Sequence, residues 1–346
     1  MNLEDFLRGT AKPIALLGTA AYLTASVACN NWLFPPPTAS IPPNSIPAAA
    51  VLQEENLAVI RKYQPKLADI IAAQPWYTDR LTQPKKIYAD IGLIKVGIAR
   101  PGAGYLGDKV MLDGKERDIA IIYDAGLEKT ANYAAATIKR DLPKIQSFTN
   151  LPISWSMIAV NIQLGPERVA AGHSLAGIAK IFLSFPNYDV DIRDIILHEG
   201  GHTVYEQDSK TSPIWYRETM PELAGVFASD GEQGLVKRLS LLEYPGRPPL
   251  IRTKPLSQFT LQDHINGEAE HVTRGIYLLI KFRKSAGEDN FAAFIRDTDT
   301  LKRTRQITDA DLREQMLLHT PDQLKSNVAA MYDLEVFGTE TQTNQK

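Results

Sequence analysis

The sequence predicts an α+β protein with a sheet-bearing first half and a helical second half. Short β-type runs bounded by glycine turns fill residues 86–124 and recur at 153–162 and 178–185, whereas helical periodicity dominates from Asp191 onward. The boundary between the halves falls near residue 190. With 346 residues, 44% of them apolar and 23% charged, the chain can bury a large core without disulfides.

Taken in order, the first segment reads as an export signal. Arg8 and Lys12 precede an uncharged run, residues 13–28 (PIALLGTAAYLTASVA), that Cys29 closes. Ser26-Val27-Ala28 suits an ordinary signal peptidase, while Val27-Ala28-Cys29 resembles the end of a lipobox with Ser26 in place of leucine. Residues 1–29 are therefore expected to be a signal peptide or lipoprotein signal, and 30–50 a proline-rich tether. The expected location is the cell envelope. A membrane tether would run through a lipidated Cys29, or through 13–34 as an anchor that Trp32, Leu33 and Phe34 lengthen.

Apolar residues at Val51, Leu57, Ile60, Leu67, Ile70 and Ile71 predict a helix that ends before Pro75. KIYADIGLIKVGIA (86–99), KVMLDG and DIAIIYD then read as strands of one sheet, followed by a helix over 127–144 and strands at 153–162 and 178–185. This gives a sheet-bearing subdomain over 51–190 and a helical one over 191–340. Gly231, Pro245 to Pro249 and Gly287 punctuate the second.

Composition narrows the chemistry. Lys and Arg total 38 against 40 Asp and Glu, a net charge of −2, and no basic stripe is interleaved with aromatics, so a nucleic-acid partner is not expected. The single cysteine excludes a CxxC zinc or redox site. Any metal must be held by histidines and carboxylates.

His198-Glu199-Gly200-Gly201-His202 supplies such a site at the boundary between the halves. On a helix, residues four apart share a face, so His198 and His202 can aim ring nitrogens at one Zn²⁺ while Glu199 lies beside them as a general base. Gly200 and Gly201 cost about 1 kcal/mol each relative to alanine in a helix and call for a packing reason. A catalytic zinc takes three protein ligands, so a third must follow. HExxHxxGxxH would place it at Asp208, but Tyr205 stands where that pattern needs glycine.

Sixteen residues after His202, Pro213-x-Trp215-x-x-Glu218 within SPIWYRETMPELAG resembles the gluzincin metallopeptidases of the thermolysin and aminopeptidase N type. The resemblance covers about 90 residues, with Thr219 and Pro221 where the aminopeptidase-like pattern has glycine and alanine. It implies a zincin-like fold with the metal site between the halves, and Glu218 as third ligand. Glu222, at the thermolysin-like spacing, is the runner-up, although Thr219-x-x-Glu222 could instead be a capping box that opens a new helix.

The resemblance further implies that GEAEHVTRGIYLLIKF (267–282) supplies a donor for the transition-state oxygen. His271 is expected in that role, with Tyr277 as a weaker candidate; His264 reads as loop surface, and His173 and His319 as structural or exposed. The function implied is an exported zinc-dependent peptidase acting on peptides or proteins. Two alternatives stand beside it: a zincin-fold binding protein without activity, kept open by Gly200 and Pro221, and a serine hydrolase using Ser174 of Gly172-His173-Ser174-Leu175-Ala176-Gly177. Ser174 to Phe185 reads instead as the edge strand alongside which an extended substrate would lie.

Overall fold

The computed structural model describes residues 46–79, 84–166, 168–175, 177–186, 192–205, 212–243, 253–266 and 270–338. The expected export signal, residues 30–45 of the expected tether and Asp208 lie outside the described residues, and the last five residues of that tether, 46–50, are helical instead. Among those described, no helix is long and apolar enough to cross a membrane.

The described residues begin with helices α1 (Ile46–Tyr63), α2 (Pro65–Ala72), α3 (Pro75–Thr78) and α4 (Pro84–Ile98). The helix predicted from Val51 to Gln74 is real but divided, because Pro65 opens a new helix at its first turn. The segment from Lys86 to Ala99 is a correction: it is helical, not a strand. Its Ile and Val content suggests β structure, but Ile87, Ile91, Ile94 and Ile98 recur at helical spacing and all four are buried. Period outweighed propensity.

A five-stranded sheet follows, in the order β1-β2-β3-β5-β4. Strands β1 (Gly104–Leu112) and β2 (Lys115–Tyr123) form a hairpin whose turn, Asp113-Gly114, has positive φ at both residues. Helix α5 (Glu128–Thr149) crosses over to β3 (Met157–Leu164), which pairs parallel to β2. Strand β4 (Val169–Leu175) then turns back into β5 (Ile178–Phe185), which lies between β3 and β4.

The edge strand on this side is therefore β4, whereas β5 is paired along both sides. Residues after Gly177 look like an edge because Lys180 and Ser184 alternate with apolar residues, yet both polar side chains are buried. The Gly172–Gly177 segment also fails as a nucleophile elbow. Ser174 sits inside β4 opposite Ala179, in a strand that leads to another strand and not to a helix.

The two faces of the sheet carry separate cores. On one, Ala120, Ile122, Met157, Ala159 and Ile178 pack against the N-terminal helices. On the other, Ile119, Ile121, Ile158, Val160, Ile181 and Leu183 pack toward α5 and α6 (Arg193–Tyr205). The described residues that follow are mainly helical: α7 (Ile214–Leu242), α8 (Leu261–Ile265), α9 (Glu270–Ala286), α10 (Glu288–Thr304), α11 (Asp309–Leu318) and α12 (Lys325–Tyr332). A broad sheet-bearing half and a helical half thus meet at α6, as the sequence predicts.

Candidate metal centre

Helix α6 is wedged between three neighbours, and its glycines explain how. A Cβ on Gly200 would come within 3.2 Å of Leu142 of α5, and one on Gly201 within 2.6 Å of the Pro221 backbone of α7. On the strand side, a Cβ on Gly172 of β4 would meet the Glu199 carbonyl at 2.3 Å. Gly201 thus lets the helix approach α7 more closely than a Cβ would permit, while at Gly200 a Cβ would press only on the end of the Leu142 side chain. The segment is packed tightly on both sides of the motif.

Helix α7 is continuous through Pro221, so Thr219 does not open a new helix. Its hydroxyl instead donates back to the Trp215 carbonyl. Continuity places Glu218 and Glu222 on the face that meets α6. At Gly231, φ 63° and ψ −152° break the helix, and the following segment returns Arg238 to within 3.4 Å of Glu222.

His198, His202 and Glu218 converge. The Nε2 atoms of the two histidines lie 3.1 Å apart, and Glu218 Oε2 stands 3.4 Å from His202 Nε2 and 3.8 Å from His198 Nε2. Tetrahedral zinc with bonds of ~2.0–2.1 Å has ligand atoms about 3.3 Å from one another, so the three positions fit the ion. Glu222 takes the other role: its Oε2 accepts a hydrogen bond at 3.2 Å from His198 Nδ1, which leaves Nε2 facing the centre. On the far side of Glu218, Arg217 Nε donates to Oε1 at 3.1 Å. One carboxylate oxygen is thereby held off and the other is turned inward.

The charges of the cluster are strongly coupled. Burial pushes the His198 imidazolium down, yet Glu218, Glu222 and Glu199 outweigh it and hold the ring well above its ordinary value. Burial likewise opposes the charged form of Glu218, but His202, His198 and His264 hold its carboxyl well below the usual range. Glu222 is lowered against its burial by His198 and Arg238. A buried group of three carboxylates around two imidazoles is an environment that Zn²⁺ satisfies. Glu199, also buried, follows His198 on the helix and presses its backbone against β4.

His264 is a second correction. Expected at the surface, it is 1% exposed, and its Nε2 lies 3.6 Å from Glu218 Oε2. His271, the expected oxygen-facing donor, is buried behind it, with Nε2 3.1 Å from His264 Nδ1. His264, Arg217 and Arg238 escaped the sequence reading. The one local signal was the capped turn Thr260-x-x-Asp263, which presents His264 in its last turn.

No family model matches this chain, and no curated protein does. Solved structures do. A mutant M1 zinc metallopeptidase from Deinococcus radiodurans aligns with TM-score 0.50 and 16% identity, covering 69% of this chain and 53% of the other. Legionella pneumophila aminopeptidase A, solved with aspartic acid, aligns with TM-score 0.51 and 11% identity over 68% of this chain and 28% of that one. The chain therefore spans about half of the first protein's length and under a third of the second's. The similarity shows the fold, that of M1 zinc metallopeptidases, with the His-His-Glu group between the two halves.

Proposed function

We propose that this chain is a zinc-dependent peptidase, with His198, His202 and Glu218 as metal ligands and Glu199 as general base. The carrying observation is the convergence of three ligand atoms at zinc spacing, one residue from a buried glutamate and against an edge strand. Held by these three residues, Zn²⁺ would supply Lewis acidity and lower the pKa of a water toward ~7.

The protein's own groups do the rest. Glu199 accepts the proton of the attacking water and passes it to the departing amine. Glu222 fixes the tautomer of His198, with Arg238 on its other oxygen, and Arg217 turns Glu218 so that Oε2 faces the centre. Among the described residues nothing pairs with the outer side of β4, so its backbone groups can align an extended peptide beside Glu199. The glycines and Pro221, which kept an inactive zincin-fold protein in view, have packing reasons in α5 and α7.

Turnover of a mixed peptide library tests this reading. Cleavage should stop with a chelator and return with zinc; cleavage indifferent to the chelator would overturn it. Export remains a proposal resting on residues 1–29. Cys29→Ser should release the protein from membranes if that thiol is lipidated, and retention would point to 13–34 as the anchor.

A further inference from the structure

Helix α6 carries His198, Glu199 and His202, and it ends at Tyr205, three residues past the second histidine. The carbonyls in the last turn of a helix have no partner within the helix and must find one elsewhere. Two of them are met here by side chains. Trp155 Nε1 donates to the Thr203 carbonyl at 2.9 Å, and Lys302 Nζ donates to the Tyr205 carbonyl at 2.8 Å. Trp155 precedes β3 in the sheet-bearing half, whereas Lys302 belongs to α10 in the helical half. The end of the metal helix is gripped from both.

Lys302 is an unusual donor for that place. It is 1% exposed, and burying an ammonium is costly unless it is partnered. The C-terminal end of a helix carries partial negative charge, which a cation complements. Nζ also lies 3.6 Å from the centroid of the Tyr205 ring, whose face attracts it. One ammonium therefore holds both the backbone and the side chain of Tyr205.

Tyr205 in turn reaches the second ligand helix. Its ring meets that of Tyr216 of α7 edge-on, with centroids 5.7 Å apart, and Tyr216 packs on Phe294 of α10 at 6.1 Å. Tyr216 stands two residues before Glu218, and all three aromatic side chains are fully buried. Helix α10 thereby bears on both ligand helices through residues outside the ligand group.

We propose that Lys302 is a positioning residue for the metal centre, with Trp155 as the matching clamp from the sheet side. By capping Tyr205 and covering its ring, Lys302 fixes the last turn of α6 and so sets His202 at the distance from Glu218 that the metal requires. The proposal rests on the reading of His198, His202 and Glu218 as ligands. Metal ligands must be held to within about 0.5 Å, so loosening this turn weakens binding before it unfolds the protein.

The test reads the metal itself, by chelator competition for zinc and by the visible absorption bands of the cobalt-substituted protein. Lys302→Met, or Lys302→Leu should the first not fold, removes the donor and the charge. Zinc affinity should fall roughly 10–100-fold and the cobalt bands should shift. Trp155→Phe removes the other clamp and should move both readouts in the same direction. Lys180→Met is the control, because it also loses a buried lysine but on the opposite face of the sheet; it should lower the melting temperature and leave affinity and bands as in wild type. Wild-type affinity and bands in a folded Lys302 or Trp155 variant would overturn the proposal. The same shift in Lys180→Met would overturn it too, since general loosening would then explain the effect. Neither readout uses peptide cleavage, so a failure here is distinct from a failure of the peptidase reading.

Discussion

The two faces of the sheet both bury charge, and they do so in opposite ways. Behind the sheet, Lys180 of β5 is paired directly with Asp90 of α4, one cation with one anion, both almost entirely enclosed. In front of it, Glu218 and Glu222 contact His198, Glu218 also faces His202, and Arg217 and Arg238 each meet a second carboxylate oxygen. The rear pair joins a helix to a strand, and burial lowers the pKa of the Lys180 ammonium to about 7. The front cluster brings two imidazoles and a carboxylate to one point, at spacings that a metal ion fits. A closed pair is architecture, whereas an open cluster is a place where something binds.

Removing charges one at a time breaks this comparison. The largest effect is expected at the centre: Glu218→Ala should reduce zinc from one per chain to near none in metal analysis, since it removes a ligand. Glu222→Ala should leave the site loadable, with affinity lowered about 10–100-fold, because it only orients His198. If Glu222→Ala empties the site while Glu218→Ala stays loaded, the two roles are exchanged.

At the rear, Lys180→Met strands Asp90 and should cost about 3–5 kcal/mol in urea unfolding. Adding Asp90→Leu should recover most of that stability. Zinc content should not move in either variant, and a shift would show that the two faces are coupled.

The glycines of α6 sharpen the same contrast at smaller scale. Gly201→Ala drives a methyl into the Pro221 backbone and should cost about 1–3 kcal/mol, read as a lower melting temperature. Gly200→Ala meets only the end of Leu142, a side chain that can yield, and gains helix propensity, so its net effect should stay within about 1 kcal/mol. Equal effects at the two positions would mean that α7 gives way as easily as Leu142 does.

The His198, His202 and Glu218 group was legible in the sequence because its residues sit at fixed spacings on two helices. His198, Glu199 and His202 lie within one turn, and Glu218 follows Trp215 in a familiar pattern. What failed to read locally depended on distant packing. Strand β4 is weakly apolar and lies at an edge because β5 inserts beside β3, which no local pattern encodes. The 86–99 segment read as a strand because its β-branched residues masked a helical stripe of isoleucines. His264 read as surface because what buries it, Glu218 and His271, comes from two other helices. Arg238 reaches Glu222 only through the break at Gly231.

The most direct test is Glu199→Gln, followed by zinc analysis and a peptide turnover assay on the same preparation. Glutamine keeps the shape of the side chain but cannot take a proton, so the account predicts one zinc per chain and turnover reduced roughly 10³–10⁴-fold. Turnover near wild type would contradict Glu199 as the base, and loss of zinc together with activity would show that it holds the metal.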